Sequence, residues 1–280
     1  MDDLDLRTDR PASEIPPPRS RSWTGPLIVA AIVVAAAAIW FFFIRTPASR
    51  DVQVRTDTTR APENTPAARP AEPGDDIPLP PLAETDSLVR ELVAKLSSHP
   101  RVAAWLTTDQ LIRNFTVVVT NIANGRTPAA HLKAVPVEGP FRARQSGDGF
   151  VIDPASYRRY DSHADAVAAI DARGAARLYA TLKPRIEEAY KELGYPEGGI
   201  DGAMERAIVE LLKTPVIEGD VRLTSDSVSY TYADPALESL SQAQRQLLRM
   251  GPRNVRIVQA KLREIAGFLG IPAESLPPSS

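Results

Sequence analysis

From about Glu84 onward, apolar residues recur every three or four positions, which is the period of amphipathic helices. Leu88, Leu92 and Leu96, with Val89 and Val93 beside them, form the first such stripe. A second helical stretch runs from about Pro100 to Ile122. It is expected to break near Thr107-Thr108, with Thr108 as a cap, and to close at Asn124-Gly125. Within it, Phe115 and the β-branched run Thr116 to Thr120 are apolar nearly all round, which predicts a buried helix or, alternatively, a strand. Further helices are expected at about 154–160, 164–193, 202–213, 235–250 and 253–269. The second of these should be interrupted at Gly174 and kinked or restarted at Pro184. Asp153-Pro154 and Asp234-Pro235 each set a capping carboxylate before a first-turn proline. Val255, Val258, Leu262, Ile265 and Leu269 give the last helix one continuous apolar stripe.

Two stretches lose the helical period. PFRARQSGDGFVID, at 140–153, reads as a hairpin turning at Gly147-Asp148-Gly149, and VRLTSDSVSYTY, at 221–232, alternates apolar and polar residues as a second hairpin would. The expected fold of residues 84–271 is therefore mainly α: a compact helical domain with two minor β-hairpins.

The N-terminal third follows a different pattern. Leu27 to Ile44 is an unbroken apolar run of 18 residues, LIVAAIVVAAAAIWFFFI, long enough as a helix to cover roughly 27 Å. With Trp23 and Trp40 near its ends, it reads as an uncleaved N-terminal single transmembrane helix over residues 26–45. A buried core helix fits less well because proline-rich sequence flanks the run. A cleavable signal peptide fits less well because the run is too long and no A-x-A-like site follows closely. Four arginines on each side leave the charge rule undecided, and the short Arg19-Ser20-Arg21 tail favours an N-terminus inside with the domain outside. Residues 1–25 read as a disordered N-terminal tail and 272–280 as a disordered C-terminal one. Residues 46–83 read as a disordered proline-rich linker, since 13 of the chain's 26 prolines precede residue 82 and large apolar side chains are scarce there.

Composition narrows the chemistry. Thirty-three basic against 35 acidic side chains leave a net charge of −2, so no nucleic-acid partner is indicated. The absence of cysteine removes thiolate nucleophiles and cysteine-ligated metals, and three histidines, His99, His131 and His163, lie too far apart in sequence to suggest a metal site. No G-x-S-x-G, H-E-x-x-H, Walker or G-x-G-x-x-G motif is present, so no catalytic, cofactor-binding or metal residue is assigned and no cofactor is expected. Glu187-Glu188 point about 100° apart on a helix, and GYPEGGID at 194–201 reads as a cap and turn between helices rather than an anion cradle.

Charge is unevenly placed. Residues 180–240 hold six basic and twelve acidic side chains, whereas 241–269 hold six basic and one acidic. Arg245, Arg249, Arg253 and Arg256 are therefore the candidate contacts for an anionic partner, Arg being shaped for bidentate contact with carboxylate or phosphate. The competing expectation is that they pair with acids of the same domain. Tyr157, Arg158, Arg159 and Tyr160 form a smaller aromatic-basic cluster, expected to be a solvated helix face.

Five blocks carry a family resemblance: LIRNFTVVVTNIANG (111–125), YRRYD (157–161), AYKELGYPEGGID (189–201), LLKTPVIEGDVRL (211–223) and YADPALESLSQAQRQLLRMGPRNVRIVQAKLREI (232–265). In these the chain resembles the bacterial domain-of-unknown-function family DUF3014. The resemblance implies a single-pass membrane protein of the bacterial envelope and brings no activity, cofactor or catalytic residue. The expected function is a membrane-anchored periplasmic interaction module at the inner membrane, engaging an envelope protein or an anionic envelope component. An envelope enzyme using a carboxylate and tyrosine groove is the alternative, and a cytoplasm-facing partner-binding domain is a further one.

Overall fold

Residues 71–127, 136–147, 149–195, 199–225 and 229–278 are described in the computed structural model. The chain opens with an extended segment and a 3-10 turn (Leu82–Glu84), followed by α1 (Asp86–Ala94), α2 (Pro100–Trp105) and α3 (Leu111–Ala123). A hairpin, β1 (Ala143–Ser146) and β2 (Gly149–Ile152), leads into α4 (Pro154–Arg158), α5 (Asp161–Ala168), α6 (Ala172–Glu192) and α7 (Gly199–Leu212). Then come β3 (Arg222–Ser225), β4 (Tyr230–Tyr232), α8 (Pro235–Glu238), α9 (Gln242–Leu248) and α10 (Pro252–Phe268).

The core is helical. The strongly apolar α3 packs most extensively on α7 and also on α6, and α10 closes the bundle against α5, α6 and α7. Phe115, Val119, Tyr179, Ile186, Met204, Ile208, Val258 and Leu262 are all buried there. The stripe read along the last helix faces inward throughout, since Val255, Val258, Leu262, Ile265 and Leu269 are each at most 3% exposed. Buried amides tie the helices together: Gln259 Nε2 donates to Thr214 O (2.8 Å) just past α7, and Asn254 Nδ2 donates to Asp161 Oδ1 (2.9 Å) on α5. These bonds satisfy groups that would otherwise be stranded away from water.

The fold class expected from sequence needs correction. The protein is mostly helical with one small antiparallel sheet of four strands, ordered β1-β2-β3-β4. The two hairpins are joined because β2 pairs with β3, Phe150 opposite Leu223 and Val151 opposite Arg222. That pairing lets Ile152, Leu223 and Tyr232 bury one face of the sheet in a second apolar cluster with Leu237 and Leu248. A lone hairpin could not have buried as much. Among the described residues, no helix is long and apolar enough to cross a membrane, so the described architecture includes no transmembrane helix. Leu27 to Ile44, where one was expected, lies outside the described residues.

Element boundaries also shifted. The expected helix 164–193 is two helices, and the break falls at residues 169–171, where Asp171 accepts the Arg173 N–H and starts α6 afresh. From there α6 runs unbroken through Gly174 and Pro184. The expected helix 235–250 divides because Ser241 and Gln244 form a reciprocal capping box that begins α9. Residues 71–81, read from sequence as spacer, lie against α6. Glu72 pairs with Arg173 (3.0 Å), Asp75 N–H donates to Thr181 Oγ1 (2.8 Å) and Arg185 donates to Leu79 O (3.1 Å). Gly74 approaches the helix so closely that a methyl there would sit 2.6 Å from Thr181 N. This contact occurs one turn before Pro184, which has no N–H to give to Ala180 O. At the other end, Arg263 donates to Pro278 O (2.8 Å), and Leu276 packs on the helical core.

Candidate anion-binding cleft

At the outer border of the sheet, β4 meets α8 and α9 around a cleft of about 270 Å³. Local sequence fixes its walls. Asp234 accepts the Ala236 N–H (2.8 Å) and Pro235 occupies the first helical position, so α8 starts immediately after β4. The capping box at Ser241 then sets α9, which carries Arg245, with Arg249 one turn on at its C-cap, and both line the cleft. Across from them stand Tyr230, Tyr232 and Phe141, with Glu238 from α8 and the chain from Ser229 to Thr231 completing the lining. The floor is aromatic: Tyr230 packs edge-on to Phe150 (5.5 Å between centroids) and is tilted on Phe141 (5.8 Å).

Among the described residues Glu238 is the only acid lining the cleft, and both of its oxygens are engaged. Oε2 accepts the Tyr232 N–H at 2.9 Å, and Oε1 contacts the Arg245 guanidinium. Arg249 Nη1 donates to Gln246 Oε1 (3.4 Å). Burial pushes the Tyr232 phenol up from its ordinary value, with Arg249 opposing that shift. Burial likewise raises Tyr160, opposed by Arg159 and Arg249. Arg249 therefore stands near two phenols kept neutral, on a wall to which the described residues bring two guanidinium groups and one carboxylate. Such a cleft can take up an anionic group and flank it with aromatic rings.

The four arginines singled out from sequence are not one surface. Arg245 and Arg249 line the cleft. Arg253 pairs instead with Asp165 (3.1 Å) and Asp161 (3.5 Å) on α5, and Arg256 pairs with Glu218. The Tyr157–Tyr160 cluster is not a solvated face: Tyr160 is buried, and Arg159 lies over its ring while donating to Gly139 O (2.7 Å). His99 caps α2 by accepting the Arg101 N–H, His163 is buried beside Arg101, and His131 lies outside the described residues. Glu188 pairs with Arg185 on its own helix. Of GYPEGGID, residues 196–198 lie outside the described residues, and Asp201 is buried in the first turn of α7.

Sequence reasoning missed Phe141, Tyr230, Tyr232 and Glu238. The available signal was slight: Tyr230 and Tyr232 sit two apart on a strand and so share a face, next to a helix start. A second polar cluster was missed as well. Tyr179 donates to Asp201 Oδ1, and Lys183 Nζ donates to Oδ2 (2.7 Å), all between α6 and α7. Tyr179 is wholly buried and the Asp201 side chain is 5% exposed, so no substrate could reach them without the helices parting. Among the described residues, no group of three or more His, Asp or Glu is arranged to hold a metal ion.

Fold and cleft together define a helical domain built against a small antiparallel sheet, with a cationic cleft at the sheet's border. By sequence the chain belongs to the family described as protein of unknown function, DUF3014, whose model matches residues 111–266, more than half of the chain. The matched region includes every residue lining the cleft. It lends no support to the single membrane pass that the resemblance implied. No curated protein and no solved structure matches the chain.

Proposed function

We propose that this domain is a binding module that holds an anionic group of a partner protein in the cleft between β4 and α9. The observation that supports this most directly is the convergence of Arg245 and Arg249, one helical turn apart, with Tyr230 and Tyr232 on a cavity of about 270 Å³. Two guanidinium groups at one mouth provide the donor geometry for a carboxylate or phosphate, and the aromatic wall excludes water from one side of it. The Glu238 carboxylate already serves as an ion-pair partner and a backbone acceptor, which favours recognition over proton transfer.

The test is fluorescence polarisation of a labelled oligoglutamate peptide against the full chain. Reversal of both Arg245 and Arg249 to Glu should abolish binding, while reversal of Arg253 and Arg256 on α10 should leave it nearly intact. Raising salt should weaken binding in the wild type. Equal binding by the Arg245/Arg249 reversal, with normal circular dichroism, would reject the proposal.

A further inference from the structure

The cleft runs along the border strand of the sheet, and the register of that strand says what else faces it. Ala233 N–H donates to Arg222 O (3.0 Å), and Leu223 opposes Tyr232 in the β3–β4 ladder. In an antiparallel pair, hydrogen-bonded and non-bonded positions alternate. Thr231 therefore turns its backbone groups toward β3, whereas Tyr230 and Tyr232 turn theirs outward, where among the described residues no fifth strand follows. The outward N–H of Tyr232 is the one that Glu238 accepts at 2.9 Å, while the same carboxylate contacts Arg245. One carboxylate thus bridges a strand-edge amide and a guanidinium, the two contacts that an incoming acidic peptide would make.

Building on the anion-binding reading above, we infer that the partner is an extended acidic peptide that adds to β4 as a further strand, with one of its carboxylates taking the place Glu238 holds on Arg245. Main-chain hydrogen bonds to the outward groups of Tyr230 and Tyr232 supply its alignment, and the arginines select its charge. Glu238 covers this edge at Tyr232, which protects a short border strand from indiscriminate pairing.

The experiment compares two fluorescein-labelled peptides of alternating Thr and Glu on the full chain, identical except that one carries N-methyl groups on alternate backbone nitrogens. Strand addition requires the methylated peptide to bind at least about tenfold more weakly, the equivalent of one or two lost backbone hydrogen bonds. Glu238→Gln, which frees Arg245 but keeps the shape of the side chain, should tighten the unmethylated peptide severalfold. Equal binding of the two peptides, still lost on Arg245/Arg249 reversal, overturns strand addition and leaves the anion-binding reading standing. Binding insensitive to that reversal, or no binding at all, overturns both.

Discussion

Asp86 accepts the backbone N–H of Gln110 at 2.7 Å with one oxygen, and the N–H of Leu111 at 2.8 Å with the other. Asp86 opens α1, yet it caps α3, 24 residues on. Gln110 needs this help because it holds a left-handed conformation (φ 55°), which costs a non-glycine residue energy and persists only where neighbours enforce it. Arg90 braces the same junction by donating to Leu106 O (2.7 Å) and Thr108 O (2.8 Å). Asp86→Ala should therefore cost about 1–2 kcal/mol, more than an ordinary exposed substitution. Urea unfolding of the full chain checks this, and a loss indistinguishable from zero would mean that water replaces the carboxylate.

Gly251 makes the second prediction. Its φ of 81° and ψ of 164° fall where essentially only glycine goes, and a methyl there would sit 2.4 Å from Tyr157 Cγ. It launches α10 from the end of α9, fixing the angle between the helix that carries the cleft arginines and the helix that closes the core. Gly251→Ala should destabilise by about 3 kcal/mol, the sum of backbone strain and overpacking. Gly267→Ala serves as the control: nothing lies within 4 Å of a methyl there, inside the same helix, and it should stabilise by about 0.5–1 kcal/mol. Similar effects at both glycines in thermal or urea unfolding would refute the distinction.

How far the sequence could carry this picture depended on the range of the interaction. The stripe of α10 and the break between α2 and α3 follow from local period and both are present, but Thr108, expected as the cap, instead donates its hydroxyl to Trp105 O (3.0 Å). The merging of the two hairpins is not local: Phe150 and Leu223 are 73 residues apart and meet because each buries an apolar face only in the other's company. The cap on α3 is invisible for the same reason, since Asp86 reads as the start of its own helix. The site was half legible. A cationic run announced Arg245 and Arg249, but nothing in that run distinguishes them from Arg253 and Arg256, whose acids lie on α5 and at Glu218. Only the packing of α9 against β4 separates the two pairs.

The buried Lys183–Asp201 pair gives a prediction with a pH signature. Burial raises the Asp201 carboxyl above its ordinary value, opposed by hydrogen bonds from Lys183 and Tyr179. A raised folded-state value means that stability is fully present below the ordinary carboxylate range and declines as pH climbs through the folded value. Lys183→Met removes the main opposing group and should push the carboxyl higher still. The variant should therefore lie closest to wild type under acid conditions. It should fall behind as pH rises, reaching a deficit of about 3 kcal/mol near neutrality, the cost of leaving one buried charge alone. Urea unfolding across a pH series measures the gap. A deficit that stays constant with pH would show that Lys183 contributes packing rather than charge.

Four tyrosines set the behaviour at the alkaline limit. Burial raises the phenols of Tyr160, Tyr179 and Tyr232, and Tyr157 is pushed up to about 12 by burial, with Tyr232 and Asp220 adding to the shift. In each case the folded value exceeds the unfolded one, so their contribution to stability is complete below the ordinary phenol range and is lost as pH climbs through each folded value, about 12 for Tyr157. For Tyr179 the neutral form is doubly required, because its hydroxyl donates to the Asp201 carboxylate and a phenolate would face it with like charge. Tyrosinate absorbance of the folded chain should therefore show a late-titrating fraction that merges with unfolding. Tyr157→Phe keeps the ring against Gly251 and should remove part of that fraction while shifting the alkaline unfolding midpoint upward. If all the phenols of the folded chain ionised together near pH 10, the buried positions assigned to these rings would be wrong.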